Sequence, residues 1–118
     1  MKVLSSSTLL ILAVVLLVSV AGKWHCGSGR KSTITAFFTV RFTCPAHKNT
    51  INECCRLHDK CYDAQSGQRY CDHTFCSCLN KAIGSDDDGG CLFTITGMCG
   101  AVTVFGRKAY EEAGMMVN

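Results

Sequence analysis

An apolar run from Leu9 to Val18 dominates the start of the chain, "MKVLSSSTLLILAVVLLVSVAGKWHC", with one lysine before it and small residues after it. That layout predicts a secretory signal peptide, cleaved after Ala21 or Gly22, where Ser19 and Ala21 or Val20 and Gly22 fill the small-residue positions. A membrane anchor is the alternative, but a spanning helix needs roughly 20 apolar residues and this core is about half that length. From Lys23 to His47 the pattern changes. Glycine and serine give way to "STITAFFTVRFTCPAH", which is β-prone and has no helical period, so a loop followed by an extended or irregular segment is expected up to about Pro45.

Helical signals begin at "NTINE", where Thr50 and Glu53 match a capping box, and a helix is predicted from about Ile51 to about Ala64. "QSGQ" interrupts it at Gly67. A second helix is predicted over about Arg69 to Ile83, with Gly84 suited to the position just past its end. The short link should leave the two helices antiparallel. In the following loop, "SDDDGG", the run Asp86 to Asp88 is expected to be solvated charge rather than a cation site. The rest is mixed: Phe93, Ile95, Val102 and Val104 alternate as in strands, whereas "GRKAYEEAG" is more helical.

Composition sharpens this. All ten cysteines of the 118-residue chain lie beyond the apolar run, in fewer than a hundred residues. A small exported domain buries little apolar surface, and disulfides compensate by about 2 to 4 kcal/mol each. Five bridges with no free thiol are expected. A zinc cluster from Cys54, Cys55, His58 and Cys61 is disfavoured, because adjacent Cys54 and Cys55 point about 100 degrees apart on a helix. Twelve basic against nine acidic residues give a net +3, and +2 without Lys2. That balance is too mild for nucleic acid but does not oppose an anionic lipid surface. Residues 1–22 are thus read as signal peptide and 23–118 as one mostly α, disulfide-rich domain, secreted and extracellular.

The densest chemistry lies in "NECCRLHDKCYD", Asn52 to Asp63. On a helix, Cys55 and Asp59 share one row, while Cys54, His58 and Tyr62 form a second row beside it. If Cys55 bridges an upstream cysteine flanked by glycines, such as Cys26 in "WHCGSGR", the loop from His25 to Arg30 lies one turn from the Asp59 carboxylate. Gly27 and Gly29 let its backbone turn carbonyl oxygens inward. Carbonyls, one carboxylate and waters suit calcium, which takes six to eight oxygen ligands. His58 beside such an ion suits a base that takes a proton from water, and the pair suggests metal-assisted ester hydrolysis. A purely structural helix histidine is the alternative, and the adjacent Asp and tethered glycine loop weigh against it.

"CCRLHDKCYD" resembles the active-site helix of the secreted phospholipase A2 family, in which two cysteines precede His-Asp by two positions and a third cysteine follows. "WHCGSG" is similar to that family's calcium loop, and "CDHTFCSC" to its second long helix; together the resemblance spans about Trp24 to Asn80. It implies two antiparallel long helices with an N-terminal calcium-binding loop. It further implies that His58 activates water against the sn-2 ester of a glycerophospholipid. By the same resemblance, Asp59 binds Ca²⁺ with the carbonyls of His25, Gly27 and Gly29, the Gly27 N–H helps hold the oxyanion, and Tyr62 joins the hydrogen bonds behind His58. Cys26 pairs with Cys55 and Cys61 with Cys78 on this basis; the other six cysteines are not assigned.

Departures from the family pattern qualify the expectation. The second catalytic carboxylate should follow the Cys-x-Cys of the second helix, and Leu79 stands there; Asp63 and Asp72 are other candidates away from that position. Leucine cannot fix the tautomer of His58 or stabilise its imidazolium. The family's N-terminal helix and β-wing are missing, and Arg30 interrupts the glycine run. Trp24, Phe37, Phe38, Val40 and Phe42, with Arg30, Lys31 and Arg41, form either a lipid-docking patch or core, with core favoured for Phe38 and Phe42. Two functions are therefore expected. The first is a calcium-dependent phospholipase A2 that works as a monomer at a phospholipid membrane or micelle surface, without nucleic acid, and releases a fatty acid and a lysophospholipid. The alternative, favoured by Leu79, is a catalytically weak or inactive phospholipase A2-like binding protein, toxin or receptor ligand.

Overall fold

The computed structural model describes residues 3, 5–22, 24–85 and 89–117. Among them the secondary structure is helical and no strand occurs: α1 (Ser6–Gly22), α2 (Arg30–Thr43), a 3₁₀ turn (Pro45–His47), α3 (Lys48–Asp63), α4 (Gln68–Ile83), α5 (Gly90–Phe105) and α6 (Arg107–Val117). Asp86 to Asp88 lie outside the described residues, as does Lys23 beside the expected cleavage positions. The apolar side chains of α1 from Leu9 to Val15 are largely exposed. No single helix among the described residues is long and apolar enough to cross a membrane.

The mostly α, disulfide-rich architecture expected from the sequence is present, with α3 and α4 as the two long antiparallel helices. Their boundaries shift slightly. Pro45 opens a 3₁₀ turn that leads directly into α3 at Lys48, so Thr50 lies inside the helix and no side chain caps its start. Glu53 bonds Arg56 one turn on instead of the helix start. At the other end, Gln65 and Gly67 adopt positive φ of 53° and 110°, which reverses the chain within four residues. The second helix stops at Ile83 with Gly84 at φ 59°, as the sequence predicts.

Two segments that read as extended are helices. In α2, Phe37, Val40 and then Cys44 recur at helical spacing and are buried with Trp24, whose ring meets Phe37 edge-on at 5.5 Å. Threonines are poor helix formers, but Thr33 and Thr43 donate their hydroxyls to the carbonyls of Gly29 and Thr39, four residues back. Phe38 and Phe42, expected in the core, are exposed: they stack on the outer row of the same helix, a direct consequence of its being helical. In α5, Cys91, Thr94 and Ile95 face inward at one-turn spacing. Here burial against α4 and α2 overrides the strand-like alternation.

Five disulfides hold these helices: Cys26–Cys55, Cys44–Cys91, Cys54–Cys78, Cys61–Cys71 and Cys76–Cys99. The Cys26–Cys55 pairing implied by the family resemblance is found; Cys61–Cys78 is not. In an antiparallel hairpin, partners sit at equal distances from the turn. Cys61 and Cys71 flank it, and Cys54 and Cys78 lie seven residues further out on each side. A Cys61–Cys78 bridge would have to cross that seven-residue offset, about 10 Å along a helix axis. Leu79 is 1% exposed in the core that Ile51, Phe75, Ile83 and Ile95 share. Truncating it, Leu79→Ala, is expected to lower unfolding stability by about 2 to 5 kcal/mol in a denaturant melt, the usual cost of a buried leucine. A cost below about 1 kcal/mol would contradict this packing.

Candidate active site

The sequence pattern of α3 places His58 one turn after Cys54 and one before Tyr62 on the row that faces α4. Cys54 before it and Cys61 after it are both bridged to α4, so the row cannot rotate away. Across from it, at the first cysteine-bearing turn of α4, stands Asp72, directly after Cys71. His58 Nε2 lies 2.7 Å from Asp72 Oδ1, with both side chains buried. The Tyr62 hydroxyl donates to the same oxygen at 2.7 Å, and Gln68 Nε2 donates to Oδ2 at 3.3 Å.

This geometry sets the tautomer. The Asp72 carboxylate accepts hydrogen bonds, so Nε2 of His58 carries the proton and Nδ1 is left as the accepting nitrogen. The imidazole is packed between Tyr62, at 4.2 Å between ring centres, and Phe75, at 4.6 Å. Burial, and then the bond to Asp72, push the Tyr62 phenol well above its ordinary ionisation range, so it remains a donor. Asp72 thus makes the hydrogen bond to His58 that a leucine at position 79 cannot make. Leu79 is two helical turns further along α4, in the core, and cannot reach His58.

The His58 row forms the floor of an open cavity of about 800 Å³. One wall is α2, from Lys31 to Thr43, and the other is α5, from Phe93 to Phe105; the lining is mainly apolar. His25, Gly27, His58, Asp59 and Tyr62 all line it. The loop is held against α3 by Cys26–Cys55 and by the His25 N–H, which donates to Asn52 Oδ1 at 2.7 Å. Gly27 needs to be glycine: its φ is +100°, and a Cβ would lie 2.6 Å from the Thr33 backbone nitrogen. Gly29 also has positive φ but does not line the cavity. Its carbonyl accepts both the Thr33 N–H at 3.0 Å and the Thr33 hydroxyl at 2.7 Å, which ties it to the first turn of α2.

Asp59 stands at the cavity mouth with no basic partner among the described ion pairs. Loss of surrounding water, and then the nearby Asp63 carboxylate, push its carboxyl up to about 6. Its carboxylate lines the cavity together with the loop residues His25 and Gly27. No group of three or more His, Cys, Asp or Glu side chains suited to a metal occurs among the described residues. A single carboxylate beside backbone oxygens suits a hard cation that keeps several waters better than it suits a metal held by thiolates or imidazoles.

The chain is 40% identical over 95 residues to a Caenorhabditis elegans protein named phospholipase A2-like. The match covers 77% of this chain and 52% of that relative, so the chain spans about half the length of the curated relative it matches. No family model matches, and no solved structure matches.

Sequence reasoning brought His58, Asp59, Tyr62, His25 and Gly27 to one cavity, and left Asp72 among other candidates. It missed Gln68 and the packing of Tyr110, whose ring meets Tyr62 edge-on at 5.1 Å. The signal for Asp72 was present in the matching seven-residue spacings of Cys54 to Cys61 and Cys71 to Cys78, which place residue 58 opposite residues 72 to 75 once the chain folds at Gly67.

The raised Asp59 pKa makes a signed prediction. The native state binds this proton more tightly than the unfolded chain does, so stability should fall as pH rises from about 4 to about 6 and level off above. Thermal melts in chelator-containing buffer should show that fall in the natural protein and a flatter profile in Asp59→Asn. An unchanged slope in the variant would assign the effect to another group.

Proposed function

We propose that this protein is a secreted, calcium-dependent phospholipase A2 that cleaves the sn-2 ester of glycerophospholipids to a fatty acid and a lysophospholipid. His58, bonded to the buried Asp72 and opening with Asp59 and Gly27 into one apolar cavity, carries this reading. His58 Nδ1 takes a proton from a water molecule as the water oxygen attacks the sn-2 carbonyl carbon. Asp72 holds Nε2–H in place and stabilises the imidazolium that results. On collapse of the tetrahedral intermediate, the imidazolium returns its proton to the departing glycerol oxygen. The Gly27 N–H, on the loop that lines the cavity, would donate to the developing oxyanion.

The Asp59 carboxylate and the carbonyls of His25 and Gly27 would hold calcium, with water completing the shell; Gly29 would join only by giving up its bonds to Thr33. Bound calcium supplies positive charge to the ester carbonyl. The apolar walls of α2 and α5 accept an acyl chain, and the exposed Phe38 and Phe42 beside Arg41 suit contact with a phospholipid membrane or micelle surface by the monomer. The signal-like start and ten cysteines support secretion. The case for a non-catalytic binding protein rests on Leu79; the Asp72 carboxylate beside His58 supports the hydrolase reading instead.

Fatty-acid release from mixed phospholipid vesicles by the oxidised protein tests the proposal. Release should require calcium and be abolished in His58→Gln, while Asp72→Asn should lower kcat by about 10²- to 10⁴-fold, the usual contribution of a general base with its orienting partner. No release from folded, calcium-binding protein would leave the non-catalytic reading. Release that persists in His58→Gln would remove His58 as the base.

A further inference from the structure

Gly106 lies at the elbow between α5 and α6, where the two helix axes bend by 69°. Its backbone, with φ −76° and ψ −10°, is one that any L-residue adopts, so conformation does not call for glycine. Space does. Gly106 is buried, and a Cβ there would lie 2.5 Å from the Tyr62 hydroxyl oxygen and 3.3 Å from Gln68 Nε2, as well as against the Val102 carbonyl. Those two side-chain atoms are donors to Asp72.

Tyr62 has nowhere to retreat. Its ring is flanked by His58 on one side and Tyr110 on the other, and its hydroxyl is committed to Asp72 Oδ1. The elbow is itself pinned: the Gly67 N–H donates to the Tyr110 hydroxyl at 2.9 Å, and Gln65 Nε2 donates to the carbonyls of both Tyr62 and Tyr110 at 2.7 Å. A methyl group at 106 would therefore press on two of the three donors that orient the Asp72 carboxylate, and through it on His58.

We infer that Gly106 is a positioning residue for the Tyr62–Asp72–His58 relay, and that the α5–α6 elbow is a working part of the site. Its effect on rate rests on the hydrolase reading above; its effect on the relay does not. A side chain at 106 acts through Tyr62, so the cost of adding one should depend on the phenol oxygen.

A double-mutant cycle between Gly106→Ala and Tyr62→Phe tests this, with Gly100→Ala as the control for adding a methyl to a glycine of α5 that has open space around it. In the natural background Gly106→Ala should lower kcat about tenfold with KM changed less than about twofold; in the Tyr62→Phe background the same substitution should lower kcat less than about threefold, as coupled neighbours do. Gly100→Ala should leave both constants within about twofold. The hydrogen-bonded His58 Nε2–H proton resonance gives a readout independent of activity: Gly106→Ala should move it, and should not move it when Tyr62 is already Phe. Equal losses in both backgrounds, or an unmoved resonance, would overturn the inference. If the hydrolase reading fails and no activity exists, the resonance alone decides. Should Gly106→Ala fail to fold in both backgrounds, nuclear Overhauser contacts between the Gly106 Hα protons and the Tyr62 ring in the natural protein decide; their absence overturns the inference.

Discussion

The structure depends on one constraint: α3 and α4 are locked antiparallel by two disulfides set at equal distances from the turn that joins them. With Cys61–Cys71 beside the turn and Cys54–Cys78 two helical turns out, neither sliding nor rotation of one helix on the other is open. The side chains between the two bridges must then face one another. His58 meets Asp72 because they lie within that locked interval, and the pair is buried for the same reason.

Burial makes the pair demanding. A charged or polar group removed from water loses several kcal/mol unless its hydrogen bonds are replaced. Here Asp72 receives three donors, His58 Nε2–H, the Tyr62 hydroxyl and the Gln68 amide, so the carboxylate is supported at both oxygens. Asp59, one residue along α3 from His58, has the opposite environment. It points to the row that opens at the cavity mouth, has no described cationic partner and sits near Asp63. Two adjacent residues thus receive contrasting electrostatic roles from about 100 degrees of helix rotation.

The cavity walls come from the helices whose local sequence favours helix least. Threonine, valine and isoleucine in α2 and α5 lean toward strands, and in α2 that preference masked the helical spacing of Phe37, Val40 and Cys44. Tertiary links overrode the preference: Cys44–Cys91 joins the end of α2 to the start of α5, the Thr43 and Thr94 hydroxyls bond at 2.7 Å beside it, and Cys76–Cys99 holds α5 to α4. Back-bonding threonine hydroxyls then satisfied carbonyls that the helices would otherwise share with water. The same helical twist turned Phe38 and Phe42 outward while it buried Phe37 and Val40.

Local chemistry was legible in the chain itself. Spacing on α3 put His58, Asp59 and Tyr62 on neighbouring rows, Gly27 marked a backbone turn that few other residues tolerate, and Gly67 and Gly84 marked the ends of helices, because each depends on the chain within a few residues. The partner of His58, the pairing of Cys61, the helical state of α2 and α5 and the space at Gly106 were decided only by tertiary structure. Each is a relation between segments far apart in sequence. Local preference carries no information on which residues meet across a hairpin, whereas disulfide closure and burial against a neighbouring helix do.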